Sequence, residues 1–283
     1  MTRLRSIPAR LTVMALVTGL AACAPDPGAI WQNYQESLLR GGFLRTERDP
    51  REITYNNADI ARSFRRIMFF DEFALENDSY RPGLTMRALE KRSGPVAYAL
   101  SGKGVTARDR GHLAEIAARI AKLTGLDIHP ARDANTPTAA HIFIANRKER
   151  QDFADILAER GAASPLVAEL RNDLNGNVCI AVPFQPRSGR GAAHYLIFIP
   201  DELQGVLRRA CIEEEFAQAF GPAADFAGAR PSIFNDNQEF ALFTEFDSWM
   251  FRVLYDQRLK AGMLESEAMP IVHRILAEIR PGR

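Results

Sequence analysis

Cys211-Ile212-Glu213-Glu214-Glu215-Phe216-Ala217-Gln218-Ala219-Phe220-Gly221 is the stretch on which the reading of this chain turns. It closes a helical pattern that starts near Asp201, in which Leu203, Leu207, Ala210, Cys211 and Ala217 recur at three- and four-residue steps. Such spacing buries one face of a helix. Glu214 and Gln218 fall on the same stripe, one turn apart. A carboxylate and an amide in that position are costly unless they meet partners. The conflict between pattern and chemistry marks a candidate site, with Glu215 beside it.

The chain has 283 residues, of which 46% are hydrophobic and 25% charged, so a sizeable core is expected in one large domain or two small ones. The net charge of +1 includes Arg3, Arg5 and Arg10, and removing those three leaves −2. No basic field remains to support nucleic-acid binding. The same three arginines form a positive n-region ahead of the apolar run Leu11 to Leu20. That run is too short to span a bilayer, which needs about 20 residues. Leu20-Ala21-Ala22-Cys23 follows, with small residues at the cleavage position, as in a secretory signal peptide covering residues 1–22. The layout also resembles the bacterial lipobox, which implies that Cys23 is lipidated and becomes the new N-terminus. Ala24 in place of aspartate then implies an outer-membrane anchor facing the periplasm. The alternative is a soluble secreted protein that carries Cys23 by chance. Cys179 and Cys211 remain; in an oxidising compartment they are a candidate disulfide, or else two buried thiols.

Along the chain, residues 23–88 read as a tether and a helical extension. Helices are expected over Ile30 to Leu39 and, capped by Asn57, over Ala58 to Phe70, with Ile60, Phe64, Ile67 and Met68 buried. Asp71 to Pro82 looks turn-rich. From residue 89 to 283 the order changes to strand (Pro95 to Leu100), helix (Thr106 to Leu123), strand (Leu126 to His129) and strand (His141 to Ala145). Helices at Glu149 to Arg160 and Pro165 to Leu170 follow, then strands at Val178 to Phe184 and Tyr195 to Ile199. Ser188-Gly189-Arg190-Gly191 suits a hairpin loop between those strands. After the central helix come a loop, a helix from Thr244 to Tyr255 and a last helix from Glu265 to Ile279. This order argues for an α+β or α/β fold with a mixed twisted sheet and helices on it.

The central helix resembles the H-E-x-x-H helix of zinc peptidases, in which two histidines bind the metal and the glutamate is the general base. Glu215 holds the base position and Gly221 the following glycine, while Glu214 and Gln218 stand at the ligand positions. Where the longer metzincin form has its third histidine the chain has Ala224, with Asp225 next to it. Ser232-Ile233-Phe234 is similar to the Ser-Ile-Met turn of metzincins such as matrixins, and Leu242 to Tyr255 is similar to their C-terminal helix. The resemblance implies a zincin-like domain over residues 89–283. From Phe43 to Met263 the chain also resembles an uncharacterised family of bacterial secreted proteins and lipoproteins, through Asn56 to Ala61, the Glu-Glu-x-x-Gln-x-x-Gly helix and Leu254 to Leu259.

Three catalytic-zinc ligands are not available here, because Gln218 offers only a neutral carbonyl and none of His112, His129, His141, His194 and His273 lies in the helix or the loop after it. The ligand count argues against zinc and for no cofactor. An oxygen-ligated Ca²⁺ or Mg²⁺ site from Glu214, Gln218 and Asp225 is the alternative. An unperturbed glutamate titrates at about 4.3 and bulk water at about 15.7, a gap of about 15 kcal/mol that zinc largely closes. Without a metal, Glu215 is a poor activator of water. The bland alternative has one or two of Glu213, Glu214 and Glu215 in solvent and the rest bonded to the turn after Gly221. The expectation is therefore a lipid-anchored pseudo-metallopeptidase that binds a peptide or an envelope protein. An active hydrolase using Glu215 with an atypical metal set, and a scaffold with an idle cleft, are the competing readings.

Overall fold

Five short strands build the central sheet, in the order β4-β3-β5-β7-β6. The computed structural model describes residues 27–76, 79–159, 164–172, 177–184 and 193–282. The expected signal peptide, Cys23 and the loop at 188–191 lie outside these residues. In chain order the elements are α1 (Pro27–Arg40), α2 (Asn57–Met68), β1 (Phe70–Glu76), β2 (Ser79–Met86), β3 (Val96–Ser101), α3 (Ala107–Thr124), β4 (Ile128–Pro130) and β5 (Ala140–Ala145). They continue as α4 (Arg147–Glu159), α5 (Ser164–Arg171), β6 (Ile180–Phe184), β7 (His194–Pro200), α6 (Gly205–Gln218), α7 (Glu245–Leu254) and α8 (Glu265–Ile279). The result is a mixed α+β protein. β3 runs parallel to β4 and β5, and β5 parallel to β7; only β6 is antiparallel to its neighbour. Among the described residues no helix is long and apolar enough to cross a membrane.

Alternation along the strands divides the sheet's two faces, as a period of two requires. Tyr98, Ile142, Ile144, Ile197 and Ile199 face a large core shared with Leu113, Ile116 and Ile120 of α3 and with α6. Phe143, Leu196, Phe198, Ile180 and Val182 face a smaller cluster with Ala154 and Leu157 of α4 and Leu166, Val167 and Leu170 of α5. β6 and β7 are the antiparallel pair that a hairpin requires, and every expected strand of the sheet is present within two residues. The apolar face expected for α2 is buried in the large core.

Three local expectations are corrected. Asp71 to Pro82 is not a run of turns: most of it forms the antiparallel β1–β2 pair, with Pro82 opposite Phe73 beside an irregular step in the register. A proline is tolerated there because a bulged two-stranded ribbon does not need every N–H. The cap of α2 is Asn56, whose Oδ1 accepts from Ala58 N at 2.8 Å and Asp59 N at 3.1 Å. Asn57 instead donates to Leu276 O and Arg280 O, at the C-terminal end of α8. The central helix begins at Gly205 rather than near Asp201.

Gly221 ends the central stretch with φ +141°, a region that L side chains avoid. A Cβ there would lie 2.6 Å from Leu254 Cδ2 and 2.9 Å from Glu90 O. The segment before β3 and the end of α7 therefore press on this position from two sides. Gly221→Ala should destabilise the protein by about 2–4 kcal/mol, through backbone strain and overpacking together, seen as a lower urea midpoint with unchanged slope.

Candidate functional site

The start of α6 is completed from outside the helix. Gln204, at its N-cap, makes no side-chain capping bond. Gln35 of α1 replaces it, its Oε1 accepting from Leu207 N at 2.9 Å. Successive residues of a helix are rotated by about 100°, so Leu207, Cys211, Glu214, Glu215 and Gln218 share one broad arc and Glu213 points elsewhere.

Glu213 is fully buried. Its carboxylate accepts two bonds from Arg48, both 2.8 Å, one from Arg209 Nε at 3.1 Å and one from Phe243 N at 2.9 Å. Glu115 of α3 closes a ring by meeting Arg48 at 3.1 Å and Arg209 at 2.9 Å. Arg48 also donates to Phe243 O at 2.8 Å. The expected bonding to the turn after Gly221 is thus replaced, for Glu213, by bonds to the N-terminal segment and to the start of α7. A buried carboxylate met by four donors is held at low cost, whereas one stripped of them is not.

The arc opposite Glu213 forms one wall of a cleft of about 1350 Å³. Glu214, Glu215, Gln218 and Asp225, singled out from the sequence, all line it. Glu215 is buried at 6% exposure, while Glu214, Gln218 and Asp225 are half-buried. Facing them is Val178 to Pro183, which includes most of β6. Among the described residues β6 pairs only with β7, so its other edge is unpaired. Cys179 and Cys211 are bonded to each other, with Cα atoms 6.0 Å apart, so the expected disulfide joins the cleft's strand wall to its helical wall.

The segment between β2 and β3 forms another side of the cleft and was not legible as such. Its cations are occupied within the fold, Lys91 and Arg92 by backbone carbonyls and Arg87 by carboxylates. Lys91 Nζ donates to Leu254 O at 2.9 Å, at the end of α7, and to Leu259 O at 3.0 Å and Asp256 O at 3.2 Å in the turns after it. Burial lowers its pKa. Arg92 donates to Ala219 O at 2.6 Å and to Ala193 O, and Arg87 pairs with Glu90 at 2.6 Å and Asp71 at 3.3 Å. This segment was passed over in the sequence; its adjacent Lys91-Arg92 is the one local feature that could have drawn attention to it. Tyr195 lines the cleft as well, and burial raises its pKa.

The turn and helix after α6 form one hydrogen-bonded unit. Asp247 accepts from Ser232 Oγ at 2.5 Å, Ile233 N at 3.2 Å, Thr244 N at 2.7 Å and Thr244 Oγ1 at 2.9 Å. Phe226 N donates to Phe234 O at 2.9 Å, tying the turn to the loop that carries Asp225. Burial pushes the Asp247 carboxyl up to about 6 against the pull of these donors. Ser232 is thus a structural hydroxyl. A serine–histidine contact does occur, Ser101 Oγ to His141 Nε2 at 2.8 Å, but His141 stacks on Phe143 on the opposite face of the sheet. Among the described residues no three His, Cys, Asp or Glu side chains are grouped so as to hold a metal ion.

The chain belongs to a family described as protein of unknown function (DUF2927), which it matches over residues 57–274. No curated protein and no solved structure matches it. The match covers α2 to α8 apart from the last few residues, and so includes every wall of the cleft except Tyr34.

Two outcomes follow from the buried carboxylates. Arg48→Ala should cost about 2–4 kcal/mol in urea unfolding, and adding Glu213→Gln should cost less than the sum of the two single changes, because the second removes the charge the first leaves exposed to an apolar interior. Asp247 has a folded pKa above its unfolded value, so its contribution to stability is complete below about pH 4 and is lost as pH rises through about 6. The stability difference between wild type and Asp247→Asn should therefore shift by on the order of 3 kcal/mol, in favour of wild type, between pH 7.5 and pH 4.

Proposed function

We propose that this DUF2927 protein is a periplasm-facing lipoprotein that holds an extended peptide segment in a cleft inherited from a metzincin-like ancestor, without peptidase chemistry. The observation that carries this reading is that β6, whose second edge has no partner strand among the described residues, lines one cleft with the altered helix α6. A free strand edge offers a row of backbone donors and acceptors to an incoming strand, and pockets beside it give side-chain preference. The volume of about 1350 Å³ exceeds that usual for a small-molecule pocket and suits several residues of chain.

The zincin resemblance is supported by arrangement. The mixed sheet, the helix after its last strand, the Ser232-Ile233-Phe234 turn and the capped helix at Thr244 occur in the expected order, and the last two are bonded through Asp247. The loss of peptidase chemistry is supported by the donor set: Gln218 and Ala224 cannot act as imidazoles. For the anchor, the support is the sequence from Arg3 to Cys23, and α1 begins four residues after Cys23.

Extended peptides selected from a displayed random library on the purified protein should bind with micromolar affinity. Gln218→Trp, which fills the helical wall, should weaken them at least tenfold while leaving the thermal midpoint within a few degrees. Failure to select any peptide, or selected peptides indifferent to Gln218→Trp, would count against the cleft. A stoichiometric transition metal lost on Glu214→Ala would instead favour a hydrolase. In cells, Cys23→Ser should move the protein from the membrane fraction to the soluble periplasmic fraction.

A further inference from the structure

The cystine in this cleft is placed unevenly. Cys211 is 2% exposed, within α6, one turn before Glu214 and Glu215. Cys179 is half-buried and lines the cleft just ahead of β6. Disulfides that serve only as staples are normally shielded, whereas those reachable by a thiolate exchange. The strand it holds has little else on that side. Ile180, Val182 and Phe184 pack away from α6 into the smaller cluster, leaving Val178, Cys179 and Ala181 toward the large core. Among the described residues β6 is held by its hydrogen bonds to β7 and, across the cleft, by this disulfide to α6.

We propose that Cys179–Cys211 is a site of thiol–disulfide exchange, reached through the cleft by an external dithiol, and that its reduction frees β6 from α6. The thiolate of the dithiol attacks Sγ of Cys179, the half-buried cysteine that lines the cleft. The S–S bond breaks, its electron pair passes to Cys211 Sγ, and that sulfur takes a proton. The dithiol's second thiolate then attacks its own sulfur in the mixed disulfide and expels Cys179 as a thiolate, which is protonated. The protein gains two electrons and two protons, and the dithiol leaves as a disulfide. The fold survives, because the large core and the β5–β7 ladder do not depend on this bond; the strand wall loosens. The inference rests on the cleft's geometry and not on peptide binding.

Dithiothreitol is the probe, acting on the purified full-length protein under native conditions. Alkylation with mass detection should find both cysteines free while near-ultraviolet circular dichroism keeps its native shape. Hydrogen exchange at 180–184 should then accelerate at least tenfold, with α3 and β5 unchanged. Cys179→Ser/Cys211→Ser, made together, should reproduce that exchange pattern without reductant. Glu214→Gln removes a negative charge beside the path of the thiolate and should speed reduction by roughly threefold. Labelling that requires denaturant, reduction that collapses the whole fold, a double variant that does not fold, or reduction that leaves 180–184 as protected as before would each overturn the proposal. A rate indifferent to Glu214→Gln would overturn the route through the cleft.

Discussion

A single buried carboxylate sets the orientation of the helix around which the protein is arranged. Glu213 is met by Arg48, Arg209 and the N–H of Phe243, which come from three separate parts of the chain. Three consecutive glutamates on one helix cannot all face the same way. Committing the first to the interior fixes the helical phase, and the rotation of about 100° per residue then aims the others toward the cleft. The cost of burying the charge is offset only while its donors are in place. The Arg48 segment, α3 and the start of α7 are thereby held to α6, although each packs there for its own apolar reasons as well.

The cleft follows from that orientation. Its helical wall is the arc opposite Glu213, and its strand wall is the antiparallel edge of the sheet. The segment before β3 closes another side, its Lys91 and Arg92 spent on the carbonyls of Leu254, Asp256, Leu259, Ala219 and Ala193. Leu254 O and Ala219 O lie at the C-terminal ends of α7 and α6, where the macrodipole favours a cation, so these bonds act as a structural brace. The cleft is left with carboxylates and an amide on its helical wall and a peptide edge opposite.

Much of this was legible. Glu214 and Gln218 could be named because a polar pair on a periodic apolar pattern is a local contradiction, and Glu215 and Asp225 through the resemblance of the stretch to a zinc-peptidase helix; all four line the cleft. Cys179 and Cys211 could be paired because they are the two cysteines of the chain beyond Cys23. Glu213 escaped notice because a charged residue beside two others reads as a solvated run, and nothing in the local pattern distinguishes a carboxylate that meets an arginine 165 residues away. The β1–β2 hairpin escaped because its acidic residues and Pro82 match turn composition, and two-stranded pairing depends on a partner strand more than on intrinsic preference. The Asn56 cap was displaced by one residue because neighbouring asparagines are equivalent until the chain's geometry selects one.

By itself the sequence determined the order of the helices and of the central sheet's strands, the apolar faces of α2, α3 and α6, and which residues break the pattern. Those are properties of near neighbours, set by spacing and side-chain type. Only the tertiary structure decided that Glu213 is the fully buried one of three, that Lys91 and Arg92 serve backbone carbonyls, and that, among the described residues, β6 pairs on one edge only and lines the same cleft as Gln218. Each depends on which distant donor or strand arrives, and a buried charge or an unpaired edge acquires its meaning from that arrival.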